Sequence, residues 1–179
     1  IAALVDGPLV GATPGTLLSG VGAITSSSPV PMRPGQTLRT SQGRARVIEP
    51  RTATVLLDPA TALRMDAWDD RATRLWLEDG RIDVAVEHRA PGQTFEVRTP
   101  YATIRVVGTR FVVTQRPGEG TEVQGIEGRV SVLDGSGNAV AFVVAGQVVR
   151  IGSGGQVIES PTAIASAPGA GANAPAAPE

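Results

Sequence analysis

The chain has 179 residues, enough for one well-buried domain with terminal segments beside it. Its 16 basic side chains, all of them arginine, nearly balance 17 acidic ones, so the net charge is −1 and the basic surplus that nucleic-acid binding needs is absent. Because the chain contains no cysteine, disulfides, thiolate metal sites and cysteine nucleophiles are excluded.

Residues 1–34 are rich in glycine, serine, proline and alanine and carry almost no charge. This composition predicts an extended N-terminal arm with little structure of its own. Residues 1–5 are apolar but too few to span a bilayer, which takes about 20 residues. They are interpreted as the stub of a membrane anchor, as a mature start after signal cleavage, or as an ordinary first strand.

Residues 35–159 form the predicted β domain, where apolar and polar side chains alternate in short segments separated by glycine turns. Residues 73–78 and 81–86 both alternate, and the Asp79-Gly80 pair between them predicts a tight hairpin turn. The longest helical pattern, residues 58–65, covers only about one turn. We therefore predict an all-β fold with many short strands, built either like a β-solenoid or like a β-sandwich.

A Gly-Gln pair recurs in front of four predicted strands. The four pairs are Gly35-Gln36, Gly92-Gln93, Gly146-Gln147 and Gly155-Gln156. Their spacing is irregular, which argues against a counted solenoid repeat. The recurrence predicts that these strands are entered through the same kind of turn.

Residues 160–179 form a C-terminal tail of proline, alanine and glycine that cannot bury enough apolar surface to fold alone. If this tail is ordered, we expect another chain to hold it in place. Packing of either terminal segment on its own domain is the alternative.

His88 is the single histidine, so a Ser-His-Asp triad would have to use it. Ser136 and Ser153 lie in glycine-rich turns, and neither has the strand-turn-helix context of a hydrolase nucleophile. We interpret His88 as a solvated strand end. The sequence therefore predicts neither enzymatic activity nor a small-molecule substrate.

Asp66, Asp69 and Asp70 form the densest acidic cluster, and carboxylates are the ligands that hard cations prefer. The cluster lacks the aspartate spacing and the glycine of an EF-hand loop, so a polar loop is favoured over a calcium site. The glycine pairs at 118–120 and 135–137 lie in turns without a following helix, unlike a dinucleotide-binding loop. We predict no metal and no cofactor.

Trp76 is the main candidate for contact with a partner protein. Leu75 and Leu77 are assigned to the core, so the alternation of a strand places Trp76 on the outer face of the sheet. An exposed tryptophan is a frequent anchor of protein interfaces, and the alternative is that the arm or tail of the same chain covers it. Trp68, inside the acidic cluster, is the second candidate.

Six motifs in chain order resemble the FecR family. They lie at residues 35–40 (GQTLRT), 77–86 (LEDGRIDVAV), 95–100 (FEVRTP), 102–111 (ATIRVVGTRF), 127–132 (EGRVSV) and 145–149 (AGQVV). The segment that ends in Gly108-Thr109-Arg110-Phe111 is the most specific of the six. The resemblance implies structural roles for the signature residues Gly108, Thr109, Phe111, Gly128 and Gly146.

The resemblance also implies a periplasmic all-β domain without catalytic residues, and a role in cell-surface signalling. There, a membrane-anchored regulator senses an outer-membrane transporter and controls an extracytoplasmic-function sigma factor. Full regulators carry a cytoplasmic sigma-binding region before the domain and a small α/β signalling domain after it, and neither is seen in this sequence.

Two functions follow from these features. The first is an accessory or scaffolding subunit of a membrane-bound assembly, which contacts other envelope proteins at the inner membrane. The alternative is the periplasmic signal-transduction domain of an anti-sigma-type regulator that responds to a TonB-dependent transporter.

Overall fold

The structure is a computed structural model that describes residues 9–12, 16–19, 21–24, 29–50, 52–69 and 71–163. These residues form seventeen β-strands and, within the same ranges, no helix. The strands are β1 (Leu9–Ala12), β2 (Thr16–Leu18), β3 (Gly22–Ile24), β4 (Val30–Pro31), β5 (Thr37–Thr40), β6 (Ala45–Glu49), β7 (Ala53–Leu57), β8 (Ala62–Trp68), β9 (Ala72–Val86), β10 (Thr94–Arg98), β11 (Thr103–Val106), β12 (Thr109–Arg116), β13 (Gly120–Glu127), β14 (Arg129–Leu133), β15 (Ala139–Val144), β16 (Gln147–Gly152) and β17 (Val157–Ala163).

The strands pair into two sheets that share β9. The first sheet has the order β4-β1-β6-β7-β9-β12-β13-β16-β17, and all of its pairs are antiparallel. The second sheet has the order β3-β2-β5-β8-β9-β10-β11-β14-β15. Its β9–β10 pair is parallel and its other pairs are antiparallel.

The predicted hairpin at Asp79-Gly80 is wrong, because residues 72–86 form one continuous strand. The first half of β9 pairs with β8 and β10, and the second half pairs with β7 and β12. Gly80 lies at the crossing with a φ of 97°, and a Cβ there would lie 2.5 Å from the Cα of Thr61. Glycine thus bends the strand from one sheet into the other, where the local turn signal suggests a reversal.

The inward side chains of both sheets form one hydrophobic cluster, as expected for two packed layers. Along β9 the buried apolar positions are Leu75 and Leu77 before the crossing and Ile82, Val84 and Val86 after it. This one-residue change of phase at Gly80 keeps the apolar side chains inside both layers. The all-β prediction is confirmed, and the arrangement is that of a sandwich of two open sheets.

The segment predicted to be a loosely structured arm contributes strands β1 to β4 to the two sheets. β1 pairs with β4 and β6, while β2 pairs with β3 and β5. Val10 and Leu18 are buried, which explains why these short apolar stretches join the core. The weak helical pattern at 58–65 is also overridden, since its second half enters β8.

Three of the four Gly-Gln pairs end turns of the same construction, as predicted. In each, the glutamine Oε1 accepts a hydrogen bond from the backbone N–H three residues earlier: Arg33 to Gln36 at 2.8 Å, Ala90 to Gln93 at 3.2 Å and Val144 to Gln147 at 3.2 Å. The glycine before the glutamine has φ between 77° and 87° in these turns, a conformation typical of the third position of a type II turn.

Candidate protein-interaction face

Four of the five family-signature residues, Gly108, Thr109, Phe111 and Gly128, lie in or beside strand β12. A Cβ at Gly108 would lie 2.8 Å from the Cα of His88, so only glycine fits there. Gly128 approaches the side chain of Thr109 in the same way, and its φ is 76°. Phe111 is fully buried in the core. Gly146 lies in the turn before β16 with open space around it, and the structural roles that the resemblance implies for the five residues stay a prediction.

A buried ion pair between Arg89 and Glu49 connects the two sheets. Arg89, 5% exposed, donates from Nη2 to Glu49 Oε2 at 2.7 Å, and its guanidinium lies 5.2 Å from the ring centre of Phe95. Thr73 and Trp68 also donate to Glu49, at 3.0 Å and 3.2 Å. Glu49 belongs to the first sheet and its donors belong to the second or follow β9, so the carboxylate joins the two layers.

The outer face of the second sheet carries a transverse row of five side chains: Arg74, Glu96, Arg105, Ser131 and Phe142. Each is directly opposite the next across β9, β10, β11, β14 and β15. Residues opposite one another in a sheet share a face, so the row runs from the middle of the sheet to its edge.

Glu96, the second residue of this row, is surrounded by arginines. Arg105 contacts it at 2.8 Å, Arg98 at 3.0 Å and Arg74 at 3.3 Å. Burial alone would raise the pKa of Glu96, but the hydrogen bonds from Arg105, Arg74 and Arg98 outweigh it and lower the pKa. One carboxylate among three guanidinium groups leaves the row with an excess of positive charge.

Trp76 lies on the same outer face, as the alternation of β9 predicts. It is half-buried, and the Arg64 guanidinium lies 5.5 Å from its ring centre. Arg64 in turn pairs with Asp66 at 2.6 Å, and this hydrogen bond is the main reason that the pKa of Arg64 is raised. Arginine thus covers part of the indole and leaves part open. Binding of a partner at Trp76 stays a prediction.

Trp68 lies elsewhere. Its indole packs against the core, and its Nε1–H donates to Glu49 in the buried ion-pair cluster. The structure therefore separates the two tryptophans that the sequence groups as contact candidates. Trp68 contributes to the ion-pair cluster, and a role in partner contact stays a prediction for it too.

The edge strand β15 exposes an apolar row that sequence reasoning missed. Val140, Phe142 and Val144 are 38%, 46% and 42% exposed, while Ala141 and Val143 between them are buried. Arg129 on β14 lies over the Phe142 ring, 4.0 Å from its centre. This row could have been predicted from the unbroken apolar run at residues 139–144. A strand with one solvent-exposed face normally alternates apolar and polar residues, and this strand does not.

The remaining candidates for chemistry do not converge. Asp66 is held by Arg64, and Asp69 accepts the N–H groups of Arg71 and Ala72, which lower its pKa. Asp70 lies outside the described residues. In the described part of the chain, no three histidine, aspartate or glutamate side chains are grouped as metal ligands would be, and His88 is exposed. The same ranges hold no helix long and apolar enough to cross a membrane.

Comparison with known proteins is consistent with this architecture. A family model described as FecR protein matches residues 36–136. Two crystal structures of a protein from Parabacteroides distasonis ATCC 8503, which is proposed to be an anti-sigma factor, share the fold with TM-scores of 0.60 and 0.59 and 20% identity. The alignments cover 72% and 70% of this chain but only 60% and 59% of those chains. No curated protein matches the sequence.

Proposed function

The chain belongs to the FecR family, and from this we propose that it is the periplasmic signal-transduction domain of an anti-sigma-type regulator. The observation that carries the proposal is the family match over residues 36–136. The two solved structures with the same fold support it, because the protein in them is itself proposed to be an anti-sigma factor. The partners of the domain are then proteins, namely a transporter, a sigma factor or components that connect them.

The polar side chains of the described residues favour binding over catalysis. The carboxylates of Glu49, Glu96, Asp66 and Asp83 are each occupied by arginine. Each of these carboxylates already has a structural partner among the arginines, which makes it a poor candidate for proton exchange with a substrate. We therefore propose a non-enzymatic domain whose outer surface meets other proteins.

The accessory-subunit hypothesis is the second candidate for the same domain. Its main support is the expectation that another chain orders the C-terminal tail. Residues 164–179 lie outside the described residues, so no contact in the structure favours this hypothesis over a regulator. Both functions place the domain in the periplasm at the inner membrane, and this location is part of the proposal.

Mild detergent extraction from the native membranes, followed by co-purification on a tagged chain, tests the proposal. We expect a TonB-dependent transporter or a sigma factor among the recovered proteins. Recovery of a stable multi-subunit assembly without either of them would favour the accessory subunit. Recovery of no protein at all would overturn both functions.

A further inference from the structure

We propose that the open edge of β15 binds an extended segment of a partner protein as an added β-strand, and that this segment alternates apolar and acidic side chains. The inference rests on the proposed function to the extent that the partner is a protein. It goes further by naming the strand that binds the partner and the kind of side chains that the bound segment carries.

The outer edge of β15 forms no ladder with any described strand, although β17 lies near it. Among the described residues β15 forms a ladder with β14 alone. The N–H of Val144 donates to the Gln147 side chain, so it faces away from β14. Because backbone groups alternate in direction along a strand, the N–H and C=O of Phe142 face the same open side. An unpaired edge of this kind is a template for strand addition.

The side chains of this edge are apolar on both faces. Val140, Phe142 and Val144 are exposed on the outer face, and Ala141 and Val143 are buried on the inner face. Soluble proteins usually protect such an edge with charge, proline or a bulge. β15 has a register shift only near its start, where Val140 is the extra residue beside Ala141, and the stretch from Ala141 to Val144 is regular. An added strand would continue the inner face with apolar residues and would cover Phe142 on the outer face.

Charge determines the outer-face residues of the added strand. Among the described residues, no carboxylate lies within ion-pair distance of Arg129, whose guanidinium stacks over the Phe142 ring. Arg105 is one strand further in and shares its single carboxylate, Glu96, with two other arginines. A carboxylate beside Phe142 would meet Arg129 without displacing an existing pair, which favours an acidic segment.

A second copy of this chain fits the edge less well. Pairing of β15 with its own copy would bring two arginine-rich outer faces side by side, with like charges adjacent. On the first sheet, Arg110 pairs with Asp83, and Arg150 pairs with both Glu122 and Glu159, so these two arginines are balanced by carboxylates.

Short synthetic peptides that alternate valine with glutamate, or valine with lysine, test the inference on the full chain. We expect the glutamate peptide to bind about tenfold more tightly than the lysine peptide, and Arg129→Glu to reverse this preference. Hydrogen exchange should slow at the Phe142 amide when the glutamate peptide binds. Phe142→Ser should weaken binding by about tenfold, a loss typical of an apolar anchor.

Leu56→Ser is the matched control, since Leu56 is 38% exposed on the first sheet and should leave peptide affinity unchanged. The inference would be overturned if the glutamate peptide did not bind the unaltered chain. It would also be overturned if the Arg129→Glu and Phe142→Ser variants bound this peptide as tightly as the unaltered chain does. Dimerisation through β15, or binding of this face to phosphatidylglycerol vesicles instead of the peptide, would overturn it too.

Co-purification separates this inference from the proposed function. If the unaltered chain recovers a transporter or sigma factor and Arg129→Glu recovers the same amount, only the β15 inference fails. If the unaltered chain recovers no protein partner, the proposed function fails, whatever the peptides do.

Discussion

Arg89 and Glu49 meet at 2.7 Å across the two sheets, although forty positions separate them in the chain. Arg89 also donates its backbone N–H to Val107 at 2.7 Å, next to the signature glycine at position 108. The ion pair therefore links the first sheet to the part of the fold where the family motif lies. Its burial makes it a feature of stability, because removing one charge leaves the other without a partner.

Glu49→Gln is expected to lower the free energy of unfolding by about 3 kcal/mol, since Arg89 would remain buried without its counter-charge. Urea denaturation at neutral pH measures the change. Arg39→Gln is the control, because Arg39 and Glu78 form an exposed pair at 2.6 Å whose loss should cost less than about 1 kcal/mol. Equal losses in the two variants would contradict the structural role of the buried pair.

Gly80→Ala is expected to destabilise the domain by about 3 kcal/mol, because strain at a positive φ adds to an overlap with the backbone of Thr61. Gly35→Ala separates the two contributions. Gly35 has a φ of 87° with open space around it, so its substitution should cost only the dihedral strain, about 1 kcal/mol. Thermal unfolding of both variants provides the comparison, and a smaller loss for Gly80 would contradict the crossing geometry.

The Glu96 cluster is expected to make stability depend on pH. Its arginines lower the pKa of Glu96 in the folded state below the usual 4.5, so folding favours the charged carboxylate. The stabilisation is complete above the unfolded-state pKa and is lost as the pH falls through the folded-state pKa. Urea unfolding between about pH 7 and pH 3 should show this loss in the unaltered chain.

Glu96→Gln should remove that part of the acid sensitivity, because the amide does not titrate. The stability difference between the two proteins is then largest near neutral pH and shrinks on acidification. A difference that stays constant down to pH values below the folded-state pKa would show that Glu96 is not the group responsible.

Trp76→Ala is expected to reduce recovery of the protein partner while leaving the thermal unfolding temperature nearly unchanged, since the indole lies on the outer face. Trp68→Ala should have the opposite effect. It removes core packing and a donor to Glu49, so unfolding should occur at a lower temperature. Unchanged recovery with Trp76→Ala would exclude Trp76 as an anchor.

The strands of this fold could be predicted from the alternation of apolar and polar residues, because one face of each sheet is buried in the core. The outward position of Trp76 and the burial of Leu75 and Leu77 followed from it directly. The hairpin at Asp79-Gly80 failed because a bend between two sheets and a reversal use the same glycine signal. Only the pairing partners of β9, which are distant in sequence, distinguish the two.

The cluster around Glu96 was beyond sequence reasoning for a related reason. Its arginines are separated from Glu96 by between two and twenty-two positions, and they converge only through the register of β9, β10 and β11. Register depends on long-range pairing and not on local propensity. The exposure of Phe142 was easier to predict from the sequence. A strand that is apolar at every position must either be buried on both faces or expose one apolar face, as an edge strand does.

The sharing of β9 by both sheets has a consequence for how the domain comes apart. A single covalent backbone crosses from one layer to the other at residues 79–81, so neither sheet can open at its centre without loosening the other. The domain is expected to unfold in one cooperative step, with amides on both halves of β9 exchanging at the same slow rate. Tension on the second sheet would reach the first along this strand without passing through a loop.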